Sequence, residues 1–356
     1  MMPTETKIRQ LLSETVNPYS ALTWSKHVKG LAVVDAEVAL DVQLGYPGKA
    51  DAKQALYLLL SELVPAEHLN LTINTRIRSH KVQDKLEPHA NIKNIIAVGS
   101  GKGGVGKSTV SSNLALALRQ QGARVGILDA DIYGPSQPLM LGVSGKPEVV
   151  ENKNMLPHEA HGIQVMSIGF LIDSDDAMIW RGPMVSQALQ QLLNETRWGD
   201  LDYLIIDLPP GTGDIQLTLL QKIPVAGAVI VTTPQNVAVL DAKKALQMFN
   251  KLNVPTLGLV ENMSMHTCSQ CGHEEAIFGR QGGSEMAENY SLPLLVQLPL
   301  DAQIRKNADS GTPTVAAEPN GSLARHYNEM ALKVTGQLAT QPISKVAVGL
   351  NVALSS

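Results

Sequence analysis

Apolar and polar positions alternate in two different ways along this chain, and the change falls near residue 90. Over the first 75 positions the apolar bursts are short. A helix-like segment from Thr4 to Thr15 precedes apolar runs at Val28–Val34 and Ala36–Leu44. An amphipathic stretch, Ala52–Leu63, and a third apolar run, Leu69–Ile73, follow. This pattern predicts a small α+β unit over residues 1–85. The segment that follows, Ile-Arg-Ser-His-Lys-Val-Gln-Asp-Lys-Leu-Glu-Pro-His-Ala-Asn-Ile-Lys, is charged and weakly patterned, and it predicts a linker whose last part covers residues 86–93.

From Asn94 onward the pattern becomes strand–helix alternation. The runs IIAVGS, RVGILDA, DYLIIDLPP, AGAVIVTTP and TLGLVENM are short, rich in β-branched residues and apolar on both faces, as buried parallel strands require. Helical stretches such as Lys107–Gln121, Pro183–Glu195 and Asn236–Leu252 lie between them. The alternation predicts βαβ crossovers and a mostly parallel sheet covered by helices on both sides, over residues 94–340. Sheets of this kind bind ligands at the carboxyl ends of their strands. Residues 341–356 read as a tail.

Composition narrows the function classes. Hydrophobic residues make up 44% of 356, enough for a sizeable core. A net charge of −4 supplies no global basic field for nucleic acid or anionic lipid. The amino terminus lacks the apolar run of a signal peptide, and no uncharged stretch approaches a membrane span. Two cysteines, Cys268 and Cys271, are too few for a disulfide framework, so the expected setting is a reducing cytoplasm without membrane or nucleic-acid partners.

The densest chemistry lies between the first predicted strand and helix of the larger unit. Gly101-Lys102-Gly103-Gly104-Val105-Gly106-Lys107-Ser108-Thr109 has the spacing of a phosphate-binding loop. Its glycines let backbone N–H groups turn inward towards phosphate oxygens, and the following helix N-terminus favours anionic charge. Lys107 is placed to reach the β- and γ-phosphates and Ser108 to ligate magnesium. A magnesium site also calls for a carboxylate at a neighbouring strand end, and both Asp207 and Asp131 qualify. One should hold the metal and the other orient the attacking water. Lys102 sits too early in the loop to fold back on its own phosphate, so it is either solvated or extends to a nucleotide on a second copy. No Asn-Lys-x-Asp guanine-reading motif occurs, which favours ATP over GTP, and Asn262 is placed to meet an adenine edge.

Cys268 and Cys271 form a Cys-x-x-Cys pair with metal-ligand spacing. Two chains related by a twofold axis bring four thiolates together, the number an iron–sulfur cubane uses. A single-chain zinc site with His266 and His273 is the alternative, and inert loop thiols a third.

With these residues in view, the chain resembles the Mrp/ApbC family of iron–sulfur cluster carrier ATPases, within the MinD-like (SIMIBI) deviant Walker A group of P-loop NTPases. The resemblance runs from about Lys93 to Thr340. It rests on GKGGVGKST at 101–109, LDADIYGPS at 128–136, WRGPM at 180–184, DYLIIDLPPGTGDIQLTL at 202–219, TTPQNVAVLDAKKA at 232–245 and VENMSMHTCSQCGH at 260–273. The first 85 residues resemble the small α+β iron–sulfur-assembly domain fused to many bacterial members, although no cysteine occurs in them. The resemblance implies that Lys102 is the signature lysine reaching the partner's nucleotide in a homodimer, and that Lys107 and Ser108 are phosphate and magnesium ligands. It implies that Asp131 is the water-positioning aspartate, Asp207 the Walker B carboxylate and Asn262 the base-reading residue. Cys268 and Cys271 are then the pair that bridges a 4Fe–4S cluster between subunits, received from an assembly scaffold and delivered to apo iron–sulfur proteins with slow ATP hydrolysis. A MinD-like positioning ATPase is the rival, but the segment ATQPISKVAVGLNVALSS shows no basic amphipathic face for lipid. A zinc-stabilised nucleotide-binding scaffold is the second.

Overall fold

The computed structural model describes residues 4–35, 37–151, 154–171 and 182–345. Trp180 and Arg181 of the WRGPM motif, and the tail from residue 346, lie outside the described residues. The chain divides into two compact units, one formed by Met1–Arg78 with Leu332–Pro342 and the other by Ser79–Ala331 with Ile343–Ser356.

In the smaller unit, helix α1 (Glu5–Glu14) starts at Thr4, whose hydroxyl accepts from the Lys7 N–H and caps the first turn. Strands β1 (Val28–Val34), β2 (Glu37–Leu44) and β3 (Leu69–Thr75) form a sheet in the order β1-β2-β3. β1 pairs antiparallel with β2, and β3 pairs parallel with it through the crossover helix α2 (Lys49–Leu60). Val38, Leu40, Val42 and Leu44 point to one face of β2 and are buried, the period-two signature of a half-covered strand. They meet Ile8, Leu12, Trp24, Tyr46, Leu56 and Leu60 in one core. Leu332, from a helix at the far end of the chain, completes that core. It packs over Gly48, whose φ of +107° favours glycine and where a Cβ would run into the leucine.

The larger unit is an α/β fold around an eight-stranded sheet. Its elements run β4 (Ile92–Ser100), α3 (Lys107–Gln120), β5 (Val125–Asp129), α4 (Gln137–Met140), β6 (His158–Ala160), β7 (Ile163–Ser167), α5 (Gly182–Glu195), β8 (Leu201–Asp207), α6 (Asp214–Leu220), β9 (Gly227–Thr232), α7 (Asn236–Lys251) and β10 (Thr256–Glu261). A two-stranded hairpin β11 (His266–Thr267) and β12 (Glu274–Glu275) follows, then α8 (Gly282–Asn289), β13 (Leu294–Gln297), α9 (Ala302–Asp309), α10 (Thr314–Ala317) and α11 (Ser322–Leu338). Strand order is β13-β10-β9-β4-β8-β5-β7-β6, parallel throughout except for the antiparallel edge strand β6. All seven residues of β8 are buried, which is why that run is apolar on both faces. The carboxyl ends of β4, β5, β8, β9 and β10 therefore form one edge, from which the phosphate loop and the segments bearing Asp131, Asp207 and Asn262 follow.

Two boundaries differ from the sequence expectation. Residues 79–85 belong to the larger unit instead of the smaller one, as do the expected linker residues 86–93, with β4 beginning at Ile92. The physical reason is Gln83, a buried amide that donates to the carbonyls of Leu220 (2.8 Å) and Ile223 (3.2 Å) and accepts from the Val225 N–H (3.0 Å). The beginning of the expected tail is also tied down, because the Ser344 N–H donates to the Ser79 carbonyl (2.9 Å) and Ile343 bridges to His80.

Candidate phosphate site and thiol hairpin

The loop between β4 and α3 wraps a cavity of about 200 Å³. It is lined by Ser100, Lys102, Gly103, Gly104, Gly106, Lys107, Ser108 and Thr109 from the loop and first helical turn, by Asp131, Ser136 and Met140 after β5, and by Pro210 after β8. Gly101 and Val105 stand behind the lining. A Cβ at Gly101 would strike the Asp241 backbone, and Val105 is buried. Gly106 has φ +84° and lies so close to Asn262 that a Cβ would collide with its amide nitrogen.

Lys107 is 6% exposed, and its ammonium donates to Asp207 Oδ1 at 2.6 Å and to Ser108 Oγ at 3.3 Å. It also lies 3.9 Å from Asp131 Oδ2. Asp207 is completely buried, and three groups hold its charge there. Besides Lys107, the Ser111 hydroxyl donates to Oδ1 (2.9 Å) and the Gln137 amide to Oδ2 (2.9 Å). Burial raises the Asp131 carboxyl above the usual carboxylate range, with Lys107 opposing the shift.

Sequence reasoning gave no role to the two residues behind this cluster. Asp129 is buried, and burial together with the nearby Asp207 charge pushes its carboxyl up to about 7. It accepts from the N–H groups of Asp131 (3.1 Å), Ser136 (3.0 Å) and Gln137 (3.1 Å) and from the Ser167 hydroxyl (3.1 Å), which shapes the loop bearing Asp131. Gln137 opens α4 and reaches back under the phosphate loop. Asp129 was visible as part of an acidic strand end, whereas nothing in the sequence marked Gln137.

Two buried side-chain oxygens of cavity-lining residues, Asp131 Oδ1 and Ser136 Oγ, have no hydrogen-bond partner among the described residues. Buried polar atoms of this kind are ordinarily satisfied, so these oxygens call for a ligand. With the Ser108 hydroxyl beside them, the set is all oxygen, as a hard cation such as magnesium and its waters prefer. The residues present fit a magnesium–nucleotide.

Lys102 and Asn262 are both engaged within this chain. Lys102 Nζ donates to Gln235 Oε1 (3.3 Å). Asn262 Nδ2 donates to the Val105 carbonyl (2.9 Å), and its Oδ1 accepts from the Met263 N–H (2.9 Å). In this structure Asn262 therefore braces the phosphate loop from beneath.

The same strand end carries the cysteines. Cys268 and Cys271 lie in the turn of the β11–β12 hairpin, closed by the Gly272 N–H to the Cys268 carbonyl (2.9 Å) and the Cys268 N–H to the His273 carbonyl (2.9 Å). Both are free thiols and Cys271 is exposed. Backbone N–H groups of Gln270 and Cys271 point at the Cys268 sulfur and lower its pKa, favouring the thiolate that binds metal. His266 Nδ1 donates to the Leu300 carbonyl (3.0 Å). Among the described residues no three His, Cys, Asp or Glu side chains come together as a metal site, so the single-chain set of Cys268, Cys271, His266 and His273 is not assembled. No helix among the described residues is long and apolar enough to cross a membrane.

Comparison with known proteins agrees with this geometry. Residues 91–335 match the family model of the NUBPL iron-transfer P-loop NTPases. An iron-sulfur cluster carrier protein of Pseudomonas fragi is 56% identical over 279 residues, which is 78% of this chain and 97% of that protein. Among solved structures, a nucleotide-binding protein from Archaeoglobus fulgidus in complex with ADP is 42% identical, with a TM-score of 0.56 over 62% of this chain and 87% of that one. The cell division ATPase MinD of Pyrococcus furiosus is 23% identical with a TM-score of 0.53, over 68% of this chain and 98% of that one, and shares the fold. The chain belongs to the NUBPL iron-transfer P-loop NTPase family, in agreement with its resemblance to the Mrp/ApbC carriers.

Proposed function

We propose that this protein binds and slowly hydrolyses ATP, holds a 4Fe–4S cluster between two copies of itself, and transfers that cluster to apo iron–sulfur proteins after receiving it from an assembly scaffold. The observation that carries the reading is the thiol hairpin. One chain presents two free thiols, one of them exposed and the other biased towards thiolate, and among the described residues no third His, Cys, Asp or Glu joins them as a metal-binding group. A cubane needs about four thiolates, so a second copy supplies the balance. The name of the Pseudomonas fragi relative, an iron-sulfur cluster carrier protein, supports the same cargo.

Hydrolysis in this reading is positional and electrostatic. Gly103, Gly104 and Gly106 let backbone N–H groups face the phosphates, and Lys107 moves from Asp207 to the β- and γ-phosphates. Ser108 and Asp207 hold magnesium, directly or through its waters, and Asp131 orients the attacking water. Magnesium, when bound, supplies charge neutralisation between the terminal phosphates. Lys102 exchanges Gln235 for the nucleotide of the partner copy, and the free edge of the Asn262 amide meets the base. Thr109 closes the first helical turn against the phosphates.

The test is delivery. Protein reconstituted anaerobically with iron and sulfide is mixed with an apo 4Fe–4S dehydratase, and recovered dehydratase activity is followed. Wild type restores activity and Cys268→Ala does not. Equal recovery with Cys268→Ala would remove the cluster from the account.

A further inference from the structure

The geometry points to Gln137 as a positioning residue for nucleotide hydrolysis, joining the phosphate loop, the Asp207 carboxylate and the loop that bears Asp131. The inference rests on the ATPase reading above and deepens it. Gln137 is fully buried, and each polar position of its amide is engaged. One N–H of Nε2 donates to the Ser108 carbonyl (3.0 Å) and the other to Asp207 Oδ2 (2.9 Å). Its Oε1 accepts from the Ser112 hydroxyl (2.8 Å). Its backbone N–H donates to Asp129 Oδ2 (3.1 Å), beside the Ser136 N–H on the same oxygen (3.0 Å).

What this arrangement does follows from the exchange that nucleotide binding demands. In this structure Lys107 neutralises Asp207 at Oδ1. When nucleotide binds, Lys107 turns towards the terminal phosphates and magnesium or its waters would take its place at Asp207, so Oδ1 changes partner. A buried carboxylate left with too few donors turns or draws in water. Gln137 keeps a neutral donor on Oδ2 throughout, so Asp207 retains one orientation while its other oxygen changes partner. The same amide fixes the backbone of Ser108 and so the hydroxyl expected on the metal. Through its own backbone it also fixes the loop that carries Asp131 and Ser136, two residues lining the cavity. Displacements on the ångström scale in such groups lower turnover by about a hundredfold without abolishing binding.

The experiment compares wild type with Gln137→Met, which keeps the volume and the backbone bond to Asp129 but loses every side-chain hydrogen bond, and with Gln137→Glu. The glutamate keeps the acceptor for Ser112 and replaces the donor edge facing Asp207 with a carboxylate oxygen. ATP turnover, KM, ADP affinity by calorimetry, magnesium half-saturation and melting temperature are measured on the full chain. Both variants are expected to lose about a hundredfold in kcat, with the glutamate the worse of the two, and to need more magnesium. ADP affinity and KM stay within about threefold, because the phosphate loop and Lys107 remain. A space-filling role predicts instead that Gln137→Met behaves as wild type. A Gln137→Glu enzyme that behaves as wild type overturns the inference. So does a Gln137→Met enzyme with near-normal kcat, or a loss shared equally by affinity, turnover and melting temperature. A wild type that hydrolyses no ATP sinks the ATPase reading and this inference with it, whereas an active wild type with an unimpaired Gln137→Met sinks this inference alone.

Discussion

Replacing Lys107 by methionine tests the electrostatics of the site before any nucleotide is added. The substitution keeps the stem that packs in the loop and deletes the ammonium 2.6 Å from Asp207 Oδ1. Asp207 is then a carboxylate with no solvent exposure and no cation in contact. Breaking a buried pair by removing one partner costs about 3–5 kcal/mol. Ser111 and Gln137 still donate to Asp207, which places the expected loss at the lower end, about 3 kcal/mol. For a unit of this size each kcal/mol lowers the melting temperature by about 2–4 °C, so Lys107→Met should melt about 6–12 °C below wild type. Adding Asp207→Asn to Lys107→Met removes the stranded charge and should recover more than half of the loss. Thermal unfolding of the nucleotide-free proteins, followed by far-UV circular dichroism, reads both numbers. A Lys107→Met protein that melts with wild type, or a double variant that melts below the single, would show that the pair does not hold the empty site together.

Three further outcomes follow from particular contacts. Asn262→Ala leaves the Val105 carbonyl without its donor, so the phosphate loop should loosen at a cost of about 1–3 kcal/mol, seen as weaker ADP binding by calorimetry with the hairpin thiols unchanged. Gly48→Ala should destabilise the smaller unit, since it combines a φ of +107° with a collision against Leu332, and proteolysis within residues 1–78 should accelerate. His27 is buried beside the Ser20 hydroxyl (3.0 Å), and burial lowers its pKa. Its folded pKa lies below the unfolded value near 6.5, so the folded state binds fewer protons. Its contribution is therefore complete above about pH 6.5 and is lost as pH falls below it. Melting temperature measured from pH 8 to pH 5 should decline, and His27→Gln should flatten that decline; an unchanged slope in the variant would remove His27 as the cause.

The parts legible in the sequence are those whose physics is local. The phosphate loop declares itself because its glycines and Lys107 must occur at fixed spacing between a strand and a helix. β4, β5, β8, β9 and β10 declare themselves because a parallel strand buried on both faces has to be a short, continuous apolar run. β6, β7 and β13, of three to five residues, are too short for any period to emerge. The parts that were not legible depend on contacts distant in sequence. Gln137 meets Asp207 across 70 residues and Gln83 meets Leu220 across 137, and neither separation leaves a pattern in the chain. The same holds for Leu332, whose burial in the core of the smaller unit can be known only once the fold has closed.

The central claim, a cluster shared by two copies through Cys268 and Cys271, is tested most directly by metal content and mass of the anaerobically reconstituted protein. Wild type should contain about four iron and four acid-labile sulfide per dimer, and Cys268→Ala should be a colourless protein that still binds ADP. A metal-loaded wild-type monomer, zinc at about one per chain, or undiminished iron in Cys268→Ala would contradict it.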